Sequence, residues 1–267
     1  MSVQLSPDSI HLSLPGPSPS TATIALHGAT VTSWVVHGEE RLFLSNMAQT
    51  NGPKAVRGGI PIVFPQFGSA PSGHPLASVP RHGFARVSRW TLLSSECKED
   101  SVIAQFALES ANLSKEHLES FPFPFQLIYT ITLSPSSLSS HLRVENLGPR
   151  TFPFHALFFS YLHVPDVNAA SIGGLSHLPY TDKTREGAQS VEESEKVQSL
   201  AGIDRVYMGM VDLEVWNPGM EKEKAIDDFE SGGWKRMVTL EPGCIKSHLN
   251  LPSGEVWEAS ATYTIPS

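Results

Sequence analysis

The chain has 267 residues, 40% of them hydrophobic, and a formal net charge of −8. That length and apolar content can bury a substantial core, and the acidic balance argues against nucleic acid or acidic membrane surfaces as partners. Two cysteines, Cys97 and Cys244, cannot form a disulfide framework, and free thiols suit the cytosol.

In chain order, Met1 to Ser20 lacks a basic head followed by an apolar run, so no signal peptide is expected. No apolar stretch is long enough to span a membrane. Thr21 to Leu26, Ala29 to Val36 and Arg41 to Leu44 are short, β-branched or aromatic, and separated by glycines, the pattern of strands. Ser114 to Ser120 fits a short helix, and Phe121-Pro122-Phe123-Pro124 must run extended after it. Period-2 alternation is clearest at Val102, Ala104, Phe106 and Leu108, and again at Leu127, Tyr129, Ile131 and Leu133. Leu138, Leu142 and Val144 repeat it beyond a turn at Ser134-Pro135-Ser136, which predicts a hairpin. Phe152 to Val164 is strongly apolar and too long for one straight strand. Asp182 to Ser199 is charged and reads as loop with marginal strands. Val211 to Trp216, Met237 to Leu240, Ile245 to Leu249 and Val256 to Tyr263 close the chain as strands. Many short strands with almost no helix predict an all-β, large antiparallel β-sandwich, built as a single domain over 1–267.

The stretch from Val56 to Arg86 stands apart. Arg57-Gly58-Gly59 and Arg81-His82-Gly83 each set a basic side chain beside glycine, and Arg86 follows. Forked, permanently charged donors beside a backbone free to approach a ligand suit a phosphate or carboxylate. The competing reading is a proline-rich turn with solvated arginines. Glu241 closes Met237-Val238-Thr239-Leu240 just before Pro242-Gly243, so it is expected at a strand end ahead of a turn, where partial desolvation tunes a general base. Asp204 opens a strand and either holds a ligand or pairs with Arg205. Asp227 and Asp228 belong to a charged loop and read as solvated. Of the 11 histidines, His82, His155, His163 and His248 are the interesting ones; the others read as surface residues. Phosphate-loop, dinucleotide, serine-hydrolase and Cys/His metal signatures are missing from the sequence.

Five separated motifs then agree with one family. Val56-Arg57-Gly58-Gly59-Ile60-Pro61, His82-Gly83-Phe84-Ala85-Arg86, Asp204-Arg205-Val206-Tyr207, Val215-Trp216-Asn217-Pro218 and Leu240-Glu241-Pro242-Gly243 resemble glucose-6-phosphate 1-epimerases, a branch of the galactose mutarotase-like superfamily. The resemblance implies a β-supersandwich, a cytoplasmic monomer with no cofactor and no metal, and a hexose phosphate as the small-molecule partner. It implies interconversion of the α and β anomers, with Arg57 and Arg86 on the phosphate, Asp204 on sugar hydroxyls and Glu241 as base. Two departures stand out. Phe159 occupies the position of the family's acid histidine, which leaves His82 as the acid or makes the chain a catalytically impaired sugar-phosphate binder. Arg81 replaces a smaller polar residue and either joins the phosphate site or pairs with a carboxylate.

Overall fold

The computed structural model describes residues 1–17 and 19–266. Three large antiparallel sheets dominate it. One five-stranded sheet runs in chain order from Ser2–Leu5 through Ser9–Ser13, Thr21–Ala25 and Thr30–Val36 to Glu39–Glu40. The second orders Val256–Thr264, Ser137–Asn146, Phe125–Leu133, Val102–Glu109 and Thr91–Cys97. The third, which carries the site, places Met237–Leu251 between Asp212–Trp216 on one side and Phe152–Phe158 with Ser160–His163 on the other. The expected β-sandwich is therefore present.

Alternation explains how the sheets pack. Phe125 to Leu133 and Ser137 to Asn146 bury every second side chain, the signature of a sheet with one face on the core. Phe152 to Phe158 is instead buried on both faces. Phe154, Ala156 and Phe158 join a core shared with Trp34, Phe106 and Tyr129, whereas Leu157 and Phe159 face a second apolar cluster with Phe43, Tyr161 and Met237. Two-sided burial is why this segment reads as a continuous apolar run. It is broken between Phe158 and Ser160, the bend that its length requires.

The short helix forms at Lys115–Ser120, with the Ser114 hydroxyl accepting from the His117 N–H at 3.2 Å as N-cap. Two expectations fail. Arg41 to Leu44 makes only isolated bridges, from Leu42 to Leu162 and from Leu44 to Gly58. The turn expected after Glu241 does not exist: Met237–Leu251 is one strand of 15 residues that runs straight through Pro242-Gly243. Gly243 is needed there, because a Cβ would lie 2.3 Å from the Ala156 carbonyl oxygen. Pro242 brings no N–H to the ladder, and at this point the neighbouring strand also breaks, with Phe159 N–H donating to the Pro61 carbonyl at 2.9 Å. No helix is long and apolar enough to cross a membrane among the described residues.

The histidines divide differently from their sequence reading. His163 faces solvent, but His27 is buried, with its Nε2 at 2.8 Å from the Lys54 carbonyl. His74, His248 and His155 form a stack, with ring centroids 4.3 Å and 3.8 Å apart. His155 is 6% exposed and its Nδ1 accepts from the Phe67 N–H at 3.3 Å, which leaves the proton of the neutral ring on a buried, unpartnered Nε2. Burial, and then the neighbouring His248 and His74, push its pKa down to about 4. The unfolded chain therefore binds a proton here between about pH 6.5 and pH 4 that the folded chain refuses. Stability from this group is complete above pH 6.5 and is lost as pH falls, to a total of roughly 3 kcal/mol. Thermal unfolding followed across that range should show the His155→Gln variant losing less stability on acidification than the parent. Parallel pH curves for the two proteins would contradict this account.

Candidate active site

A cleft of about 290 Å³ opens on the third sheet, lined among others by Arg57, Arg81, His82, Arg86, Phe159, Lys183, Asp204, Glu214, Trp216 and Glu241. Strand register sets its floor. Leu157 pairs with Gly243 and Ser160 with Leu240, so the same register puts Phe159 opposite Glu241. On the other flank Glu214 is the direct partner of Glu241. One row across the sheet thus reads Phe159, Glu241, Glu214.

Two glycine turns bring the basic side chains over this row. Gly59 has φ 67°, and a Cβ there would lie 2.1 Å from the Val31 carbonyl oxygen; Gly83 has φ 69°, and its Cβ would lie 2.0 Å from that of Phe64. Only glycine allows either approach. The second turn is closed by Gly83 N–H donating to the Pro80 carbonyl at 2.7 Å, and it holds His82 at φ 63°. That left-handed conformation is costly for a histidine, and such strain gathers at functional sites.

Arg57 is anchored: Nε donates to Asp228 at 2.9 Å and Nη1 to the Tyr161 hydroxyl at 3.1 Å. Burial opposes its charge, but Tyr161 and Asp228 more than restore it, so it stays a firm cation. Arg86 is less satisfied. Its Nη2 donates to the Arg81 carbonyl at 2.9 Å while its buried Nε has no acceptor. Burial, with Arg57 and Arg81 adding repulsion, pulls its pKa down to about 10. Arg81 is exposed at the rim and takes part in no ion pair among the described residues. Lys183 completes the group, its Nζ 4.6 Å from the Phe67 ring centroid and ion-paired to Glu214. An anion lodged among these groups would relieve both the unpaired donor and the mutual repulsion.

His82 is neutral here. Burial, followed by Arg86, Arg81, Lys183 and Arg57, depresses its pKa to about 2. Its Nδ1 lies 3.4 Å from the Gly68 N–H, which favours the tautomer with the proton on Nε2. Such a ring donates a hydrogen bond but holds no surplus proton.

Glu241 is 1% exposed; Oε1 accepts from the Thr239 hydroxyl at 2.8 Å and Oε2 is buried without a donor. Burial first, then the adjacent Glu214, raises its pKa well above the carboxylate range. Glu214 is 5% exposed and is also shifted upward by burial, against the pull of Lys183. Asp204 sits above them, with Lys222 at 3.2 Å and Lys183 at 3.9 Å. Arg205, the alternative partner for Asp204, turns away to Asp182 and Glu192, at 3.3 Å and 3.2 Å. Aromatic walls finish the cleft: Phe159 stacks on Tyr161 with centroids 4.8 Å apart, and Trp216 meets Phe159 edge-on at 6.3 Å.

The structure therefore brings together Arg57, Arg81, Arg86, His82, Asp204 and Glu241. Asp228, read as solvated, is the partner of Arg57, with its side chain only 15% exposed. Lys183 and Glu214 were missed. The signal for Glu214 was an acidic residue in a strand between Leu213 and Val215, on the same face as Trp216. Lys183 lay hidden in a charged stretch, where the Asp182 side chain caps the following turn by accepting from Thr184 N–H at 2.9 Å.

Comparisons with known proteins agree with this architecture. The aldose 1-epimerase family model matches residues 11–210. A Cenchrus ciliaris protein named "Putative glucose-6-phosphate 1-epimerase" is 30% identical over 92% of this chain and 82% of its own length. An Escherichia coli protein of the same name is 30% identical over 82% of the chain and 78% of its own. Among solved structures, a galactose mutarotase-like protein from Clostridium acetobutylicum superposes with a TM-score of 0.73 at 15% identity, covering 99% of this chain and 98% of its own. A mutarotase-type structure from Salmonella typhimurium gives 0.81 at 23% identity, over 98% and 93%. These likenesses fix the fold, and the family match with the relatives' extent fixes the lineage: the chain belongs to the aldose 1-epimerase family, on a galactose mutarotase-like fold.

Proposed function

We propose that this chain interconverts the α and β anomers of a hexose 6-phosphate, glucose 6-phosphate or a close analogue. The observation that carries the reading is the unpaired, buried Nε of Arg86 among Arg57, Arg81 and Lys183, across a cleft from the buried carboxyl of Glu241. A phosphate dianion at the arginines neutralises them with charge-assisted bonds, and the sugar then extends toward the Phe159, Glu241, Glu214 row. Asp204 and Trp216 flank it, the carboxylate accepting from ring hydroxyls and the indole packing on the apolar ring face. Glu241 exchanges a proton with the reacting sugar oxygens as the ring opens and recloses. His82 donates a hydrogen bond to a sugar oxygen from Nε2, a narrower role than that of a protonated acid.

One observation favours a second reading. Phe159 stands opposite Glu241, where a group able to protonate the ring oxygen is wanted, and losing a general acid costs on the order of 10² to 10⁴ in rate. The alternative is a sugar-phosphate-binding protein with little catalysis. NMR measurement of anomer exchange in glucose 6-phosphate separates the two. Exchange well above the buffer rate supports the epimerase, and buffer-rate exchange with binding intact supports the binder.

The phosphate assignment has its own test. Arg86→Gln should weaken glucose 6-phosphate binding by about 10-fold to 100-fold, with high salt eroding the difference, and leave glucose binding nearly unchanged. Calorimetry on both ligands checks this, and equal losses would remove the phosphate from that end of the cleft.

A further inference from the structure

The two glutamates in the cleft floor are more than neighbours. Glu214 and Glu241 are direct cross-strand partners, 5% and 1% exposed, and both line the cleft. Two carboxylates side by side in a buried row repel strongly, and the low-cost state holds one proton between them. Direct cross-strand pairing sets their side chains on the same face of the sheet, and each is pushed upward by burial. Lys183 ion-pairs with Glu214, which fixes the negative charge there and leaves the proton on Glu241 at rest. The other charged or titratable groups around the pair are Asp204, Arg86 and Tyr161, with His82 across the cleft; the first of these adds negative charge and Arg86 offsets it.

Accepting the anomerase reading above, we propose that Glu214 and Glu241 act as one acid–base unit carrying a single proton, with Glu214 the second catalytic carboxyl in a site where Phe159 supplies none. A sugar O1 and ring O5 share the same carbon, so two adjacent carboxyls can serve both. On opening, the carboxylate takes the O1 proton, the C1–O5 bond breaks with its electron pair going to O5, and the protonated carboxyl delivers its proton to O5. C1 and O1 become the aldehyde, and the pair still holds one proton, now on the other residue. After rotation about C1–C2 the steps reverse onto the opposite face, O5 attacking C1 and each carboxyl regaining its first state. No external proton is consumed. The mechanism also explains how an apolar Phe159 is tolerated beside Glu241: it excludes water from a carboxyl that must stay protonated near neutral pH.

The test is a set of variants assayed by NMR anomer exchange of glucose 6-phosphate, with binding measured in parallel. Glu214→Gln should lower kcat by about 10²-fold or more with KM changed only a few-fold, and should remove one limb of the pH profile. Phe159→His placed in the Glu214→Gln background should recover much of the loss, because it restores a titratable group opposite Glu241. A Glu214→Gln protein with near-parent kcat and an unchanged pH profile would overturn the proposal while leaving the epimerase reading intact. A parent protein that binds sugar phosphate but exchanges at the buffer rate would overturn both. Should Glu214→Gln not fold, carbon-13 NMR titration of the glutamate carboxyls in the parent protein decides. Two coupled titrations bracketing neutral pH support the unit, and two independent carboxyls titrating in the ordinary acidic range overturn it.

Discussion

Glu241 is buried from solvent between a phenylalanine on one flank and another carboxyl on the other, and the rest of the site is arranged around that single constraint. A buried carboxylate pair without compensation costs several kcal/mol. Compensation here comes from Lys183 on Glu214 and from the Thr239 hydroxyl on Glu241. Lys183 in turn depends on the strand Pro179–Asp182 and its cap, which the Arg205 ion pairs with Asp182 and Glu192 hold in place. A motif whose aspartate lines the cleft therefore uses its arginine to brace the turn that carries a lysine into the same cleft.

The arginines obey a complementary constraint. Arg57, Arg81, Arg86 and Lys183 converge without enough carboxylates to neutralise them, and this on a chain of net charge −8. Such a local reversal focuses field into the cleft and favours anionic ligands over the rest of the surface. Burial first, and then this field, keep His82 neutral, and the left-handed turn at φ 63° holds that ring in the cleft lining. The same cations thus favour an anion in the cleft and add to the burial that keeps His82 neutral.

What the sequence made legible was local. Alternating strands, the capped helix and the two glycine turns all follow from periodicity and backbone freedom, and Arg57, Arg86, Asp204 and Glu241 all reach the cleft. The misreadings share one cause. Pro242-Gly243 carries a turn signature, yet the chain stays extended, because flanking strands pair with Met237–Leu251 on both sides and Gly243 is needed for close packing. Asp228 and Lys183 lie in charged stretches whose partners, Arg57 and Glu214, are 171 and 31 residues distant. Asn217, in the Trp216-Asn217-Pro218 motif, works structurally. Its amide donates to the Trp234 and Met237 carbonyls, each at 2.8 Å, and its oxygen accepts from Gly202 and Gly219 at 3.1 Å and 2.8 Å.

On the proposed function, binding and proton transfer in this cleft would be coupled. Burial is the main cause of the depressed His82 pKa, and an anion between Arg57 and Arg86 would cancel the part that the cations add, raising the affinity of that ring for a proton. The same anion weakens the positive potential that Arg86 exerts on Glu241, which further favours the protonated carboxyl. Both shifts would favour proton donors at the sugar ring once a phosphate is seated. A sugar lacking phosphate would meet the same side chains in a cation-dominated field, with His82 held neutral and the carboxyl pair pulled toward ionisation. On the proposed function, discrimination for a phosphorylated substrate would then arise in the chemical step as well as in binding, because the charge at one end of the ligand would tune the acid at the other.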